Sequence, residues 1–167
     1  MIQVYTGNGK GKTTAALGLA LRASGAGLKV YIGQFVKCGC YSEIKALKAL
    51  KNIKVEQFGA GCFIKRIPVK DDLLRAKSGL EKAKKAIAAK KYDLVILDEI
   101  NVAVKLRLVE LSDVISLIKN THPRIELVLT GRHAHPEIIR LADLVSQIQD
   151  LKHYYCRGLK ARKGIEL

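Results

Sequence analysis

Tryptophan is absent from this 167-residue chain, and other aromatics are few, with three phenylalanines and six tyrosines. A stacking platform for single-stranded nucleic acid needs aromatic side chains interleaved with basic ones, and little material for one is present. Cysteine is also sparse. Cys38, Cys40, Cys62 and Cys156 lack the C-x-x-C spacing of a structural zinc site, although Cys38-Gly39-Cys40 could bind metal or sense redox state. No apolar run approaches the ~20 residues of a membrane span, and nothing resembles a signal peptide. A cytoplasmic protein with reduced thiols, forming one domain over residues 1–167, is the expectation. Acidic residues are half as numerous as basic ones, 15 against 30, and the net charge of +15 favours anionic partners. Many of the lysines fall on helix faces turned to water, so a solvated surface accounts for them equally well.

What is abundant is glycine and lysine at the amino terminus. Residues 1–5 read as a short strand, Thr6-Gly7-Asn8-Gly9-Lys10-Gly11-Lys12-Thr13-Thr14 as a dense turn, and Ala15 onward as a helix. That order wraps backbone N–H groups around phosphate. Lys12 falls where its ammonium reaches a terminal phosphate, and Thr13 where its hydroxyl ligates magnesium. The match to the Walker A pattern is incomplete. The glycine expected five positions before Gly11 is Thr6, the nearest glycine is Gly7, and a further lysine, Lys10, stands inside the loop. The spacing predicts a nucleotide site with extra positive charge.

The rest of the chain alternates strand and helix. Residues 28–35, 53–58, 93–97, 125–129 and 144–148 read as strands, and 12–24, 42–50, 71–87, 111–119 and 136–141 as helices. The alternation predicts a P-loop NTPase-like α/β fold of three layers, with a mostly parallel sheet of about six strands. Ligands of such sheets bind beyond the strand carboxyl ends. Gln34-Phe35-Val36-Lys37, Asp98-Glu99 and Thr130-Gly131-Arg132 fall on that edge together with the phosphate loop. The apolar run ending in Asp98-Glu99 has the form of a Walker B strand, whose carboxylates hold magnesium or its water opposite Thr13. Arg132 is either a triphosphate contact or half of a structural ion pair. His133 and His135 read either as a metal pair or as capping residues. Residues 59–68 form a connection longer than most, a candidate binding loop.

These motifs, with Ala142-Asp143-Leu144-Val145-Ser146, Lys152-His153 and the tail from Gly158 to Glu166, resemble the P-loop type of ATP:corrinoid adenosyltransferase over nearly the whole chain. The resemblance implies transfer of the 5′-deoxyadenosyl group of Mg·ATP to the Co(I) of a reduced corrinoid, with triphosphate leaving. Because the bond at C5′ breaks, the loop must stabilise charge on an entire triphosphate. Lys10, Lys12 and Arg132 suit that demand, with Gly7, Asn8, Gly9, Gly11, Thr13, Thr14, Gln34 and Lys37 lining the nucleotide. Thr13, Asp98 and Glu99 would share the magnesium. No side chain need act as base or nucleophile, so catalysis is positioning and electrostatics. The resemblance further implies a homodimer, a flavodoxin-like electron donor, and His153 near the site.

The family's Gly-Phe-x-Trp segment is here Gly61-Cys62-Phe63-Ile64, so Phe63 is either the apolar wall against the corrinoid or a core residue. Cys38 stands where a glycine is usual, and the chain starts at its first strand where some members carry an extension. Two other readings accompany this one. A P-loop ATPase coupled to nucleic acid would exploit the +15 charge, and a small-molecule kinase would need an arginine-bearing lid.

Overall fold

The computed structural model describes residues 1–39, 41–60 and 68–166. The proposed corrinoid wall at 61–66, with Phe63, lies outside the described residues. Strands β1 (Ile2–Thr6), β2 (Val30–Gln34), β3 (Ile53–Gln57), β4 (Leu94–Asp98), β5 (Glu126–Thr130) and β6 (Leu144–Gln147) form one sheet. Its order is β3-β2-β4-β5-β1-β6, and every pairing is parallel. The expected mostly parallel sheet is thus parallel throughout.

Helices cover both faces, which is why the central strands are apolar on both sides. Along β4, Leu94 and Ile96 point to one layer and Val95 and Leu97 to the other, all essentially buried. The first layer packs against α1 (Lys12–Gly25) and α2 (Ser42–Lys48) through Ala16, Ala20 and Leu47. The second packs against α3 (Lys70–Ala88), α4 (Ile100–Lys105), α5 (Leu111–Lys119) and α6 (Pro136–Leu141) through Leu80, Ala83, Ile100, Val114 and Ile138. Helix α3 places Asp71 and Asp72 in its first turn, where the Asp72 carboxylate accepts the Val69 N–H at 2.8 Å, and Lys85 in its last. That charge order complements the helix dipole.

Two elements differ from the sequence expectation. Helix α4 follows β4 with a single intervening residue, because Glu99 adopts a left-handed φ of 61° and turns the chain at once. No glycine or proline announces it. The tail contains a short 3₁₀ turn at Tyr154–Arg157, started by His153, whose Nδ1 accepts the Tyr155 N–H at 3.0 Å. Among the described residues no helix is long and apolar enough to cross a membrane.

The strand order decides where the site lies. β5 runs between β1 and β4, so the residue ending β5 separates the phosphate loop from the acidic end of β4. That residue is Thr130.

Candidate active site

The loop after β1 turns immediately. Gly7 takes φ +96°, and a Cβ there would stand 2.2 Å from the Ile148 carbonyl oxygen. Gly9 donates its N–H to that same carbonyl at 2.9 Å. The loop is thus clamped to the chain leaving β6, and this close approach explains why glycine appears at 7 although Thr6 still belongs to the strand. Gly11 has φ +116° and begins α1 without a side-chain cap, while a Cβ on it would meet nothing within 4 Å. An uncapped helix start facing open space is a place for an anion.

Lys12 is buried and bends back to donate to the Gly9 carbonyl at 2.5 Å. Burial pushes its ammonium below the ordinary lysine value, with Glu99 opposing and Arg132 adding to the fall. Arg132 is exposed on the same edge, close enough for its charge to reach Lys12. Asn8 and Thr14 are exposed on the loop and first helical turn.

Behind the loop lies a buried polar network centred on Asp98. Its Oδ1 accepts the hydroxyls of Thr130 at 2.7 Å and Thr13 at 3.0 Å. Its Oδ2 accepts the Gln34 amide at 3.0 Å and the Lys37 ammonium at 2.9 Å. Gln57 in turn donates to Gln34 Oε1 at 3.0 Å. Gln34 is fully buried, and its amide is engaged by Asp98. Four donors, one of them the Lys37 ammonium, meet Asp98. Glu99 is less committed: its Oε1 stands 3.5 Å from Lys37 Nζ. Burial raises the Glu99 carboxyl above its ordinary range, opposed by Lys37 and reinforced by Asp98. Lys37 also donates to Thr13 Oγ1 at 2.8 Å. Burial alone would lower the Lys37 ammonium, but the Asp98 and Glu99 carboxylates outweigh it and hold the value above normal.

These oxygens fit magnesium, which prefers hard oxygen donors and usually takes only one or two carboxylates, completing its shell with water and phosphate. Thr13, Glu99 and Asp98 offer that set, and a cation, the Lys37 ammonium, is already stable among them. Among the described residues no cluster of three His, Cys, Asp or Glu side chains could hold a metal by itself. His135 instead caps α6, accepting the Glu137 N–H at 3.2 Å.

Lys10 points elsewhere. Its ammonium meets the Tyr154 hydroxyl at 2.5 Å and Glu166 Oε1 at 2.8 Å, and its backbone N–H meets Asp150 Oδ1 at 2.9 Å. The Tyr154 hydroxyl also donates to Glu166, and Arg162 pairs with Glu166 at 3.1 Å. The tail is thereby tied to the outer side of the phosphate loop.

Sequence reasoning placed Thr130 on this edge without giving it a role, and it did not single out Gln57, Tyr154 or Asn101. Asn101 is buried at the start of α4, and neither its amide nitrogen nor its oxygen has a partner among the described residues. Its signal was an amide inside the apolar run Ile100-Asn101-Val102-Ala103.

A parallel α/β sheet with a phosphate loop, a helix start and buried carboxylates converging on one edge defines a P-loop nucleotide-binding protein. Residues 1–167 match the family described as ATP:corrinoid adenosyltransferase BtuR/CobO/CobP. The chain is 33% identical over 166 residues to a corrinoid adenosyltransferase of Escherichia coli K12, covering 99% of this chain and 85% of that protein. It is also 33% identical over 168 residues to one from Pseudomonas aeruginosa, covering 99% and 83%. The corrinoid adenosyltransferase CobA of Salmonella typhimurium is 33% identical over 166 residues, covering 99% and 85%. This chain belongs to the ATP:corrinoid adenosyltransferase family.

Proposed function

We propose that the chain transfers the 5′-deoxyadenosyl group of Mg·ATP to the Co(I) centre of a reduced corrinoid and releases triphosphate. The single observation that supports this most is the convergence of the uncapped α1 start, buried Lys12 and the Thr13–Asp98–Glu99 oxygens on one edge of a full-length family match. The electron pair of Co(I) forms the bond to C5′, the C5′–oxygen bond breaks, and both of its electrons leave on the triphosphate.

Within this reading the Gly7 to Thr14 loop cradles the triphosphate, and Lys12 leaves the Gly9 carbonyl to meet the charge growing on the leaving oxygens. Arg132 supplies a second cation from the β5 side. Asp98 keeps the Thr13 hydroxyl oriented, so that Thr13 and Glu99 present oxygens to magnesium. Magnesium, when bound, neutralises part of the triphosphate charge. Lys10 contributes to the loop's positive field while anchoring the tail through Glu166. Phe63 belongs to the corrinoid side by resemblance.

A homodimer and a flavodoxin-type reductant complete the reading. Exposure of Leu144 and Val145 on edge strand β6 is compatible with the first, and light scattering of the purified protein tests it.

The deciding experiment is an anaerobic assay with Mg·ATP and chemically reduced cobalamin. Loss of the Co(I) spectrum with formation of adenosylcobalamin and intact triphosphate is expected. ADP and orthophosphate with Co(I) unchanged would make the chain an ATPase or kinase on this scaffold. Lys12→Ala is expected to abolish turnover with the far-UV spectrum unchanged, and near-normal activity would remove the loop from the mechanism.

A further inference from the structure

Lys37 Nζ lies 2.8 Å from Thr13 Oγ1, 2.9 Å from Asp98 Oδ2 and 3.5 Å from Glu99 Oε1. These are the oxygens assigned above to magnesium. Thr13 gives its one hydroxyl proton to Asp98, which leaves its lone pairs facing Lys37. A magnesium ion held by Thr13 and Glu99 would draw on those same lone pairs and that same carboxylate. Ammonium and metal therefore compete for one position.

Resting on the magnesium reading, we infer that Lys37 is a resident counter-cation of the magnesium pocket, displaced by the entering metal and delivered to the triphosphate. Without that cation, the buried Asp98 carboxylate and the partly exposed Glu99 carboxylate would stand side by side with less compensating charge, a costly arrangement. Lys37 supplies that charge from within the chain. Its backbone is pinned: the Gly59 N–H donates to the Lys37 carbonyl at 3.1 Å, and a Cβ on Gly59 would stand 2.6 Å from Lys37 backbone atoms. The exchange thus needs only rotation of the flexible four-carbon stem. When Lys37 leaves, Thr13 keeps its bond to Asp98 and turns its freed lone pairs to the metal. The released ammonium remains on the phosphate side of β2, where it adds positive charge beside the leaving group.

The test is Mn²⁺ binding by water-proton relaxation, using the full chain with and without ATP. Wild type, Lys37→Met and Lys37→Arg are compared. Without nucleotide, K37M should bind Mn²⁺ at least about tenfold more tightly than wild type, within the usual range of coupling between competing ligands. K37R, which keeps a cation, should not gain. Equal nucleotide-free affinity of wild type and K37M, with wild type still binding Mn²⁺ in the presence of ATP, overturns the exchange and leaves the proposed function standing. Failure of both proteins to bind Mn²⁺ even with ATP overturns the exchange together with the magnesium reading. If K37M folds poorly, Mn²⁺ should raise its melting temperature more than that of wild type. A K37M chain that Mn²⁺ does not restore overturns the inference.

Discussion

Replacing Thr130 by valine keeps the shape of the side chain and removes its hydroxyl. Thr130 is fully buried, donates to Asp98 Oδ1 at 2.7 Å and accepts the Glu99 N–H at 3.0 Å. Valine would therefore deprive a carboxylate of one donor and leave one backbone N–H without its acceptor. A hydrogen bond to a charged group contributes about 1.5–3 kcal/mol, and a buried unpaired amide costs about 1–3 kcal/mol. Asp98 keeps three other donors, so the lower part of the combined range, about 3 kcal/mol, is the expected loss. For a chain of this length such a loss lowers the melting temperature by about 6–12 °C. Urea unfolding followed by far-UV circular dichroism measures it, with Thr130→Ser as the control. Serine retains both bonds and loses one methyl group, a cost of about 1 kcal/mol. A T130V protein within about 1 kcal/mol of wild type, or a T130S protein equally damaged, would refute the network as the link between β4, β5 and the phosphate loop.

Three more outcomes can be checked independently. Gly7→Ala must push against the Ile148 carbonyl at 2.2 Å and also hold φ +96°, so ATP affinity should fall at least about tenfold by equilibrium dialysis and the urea midpoint should fall with it; Gly11→Ala must hold φ +116° but meets no neighbouring atom, so it should lower the urea midpoint less, and the reverse ranking of midpoints would discredit the β6 clamp. Glu166→Gln should leave the unfolding midpoint unchanged but accelerate tryptic cleavage between Arg157 and Lys163 several-fold, because the carboxylate shared by Lys10 and Arg162 is lost; an unchanged cleavage rate would show that the tail is held by other contacts. Tyr31 is buried and donates to Glu56 at 2.8 Å; burial first, then that bond, raises its phenol well above the ordinary value. Above about pH 10 an unfolded tyrosine loses its proton while folded Tyr31 keeps it, so stability should fall as pH rises, by up to about 1.4 kcal/mol per unit; a Tyr31→Phe protein with an equally steep alkaline decline would assign that decline to other groups.

The order of elements was legible because apolar runs and glycine turns carry their own period. Strands β3 and β4 and helices α5 and α6 fall within about a residue of their expected places, since buried alternation and capping are local properties. Helix α4 was not legible: its start depends on Glu99 at φ 61°, a conformation no residue type announced. Nor was the strand order, because parallel pairings join segments far apart in sequence.

The same division runs through the site. Gly7 to Thr14, Asp98-Glu99 and Gln34 to Lys37 identified the edge, because phosphate and magnesium demand particular residue types at short spacing. Which group touches which was decided by packing. Gln34 reads as a ligand contact in sequence, yet lies fully buried behind Asp98. Lys10 reads as a loop cation, yet pairs with Glu166, 156 residues away. Lys37 reads as a residue lining the nucleotide, yet its ammonium sits on the Thr13, Asp98 and Glu99 oxygens. Residue types and spacing by themselves determined the chemistry this chain can hold, since those requirements are local. Only the tertiary structure decided the partners, because a charge buried among distant strands takes whichever counter-charge the sheet brings within reach.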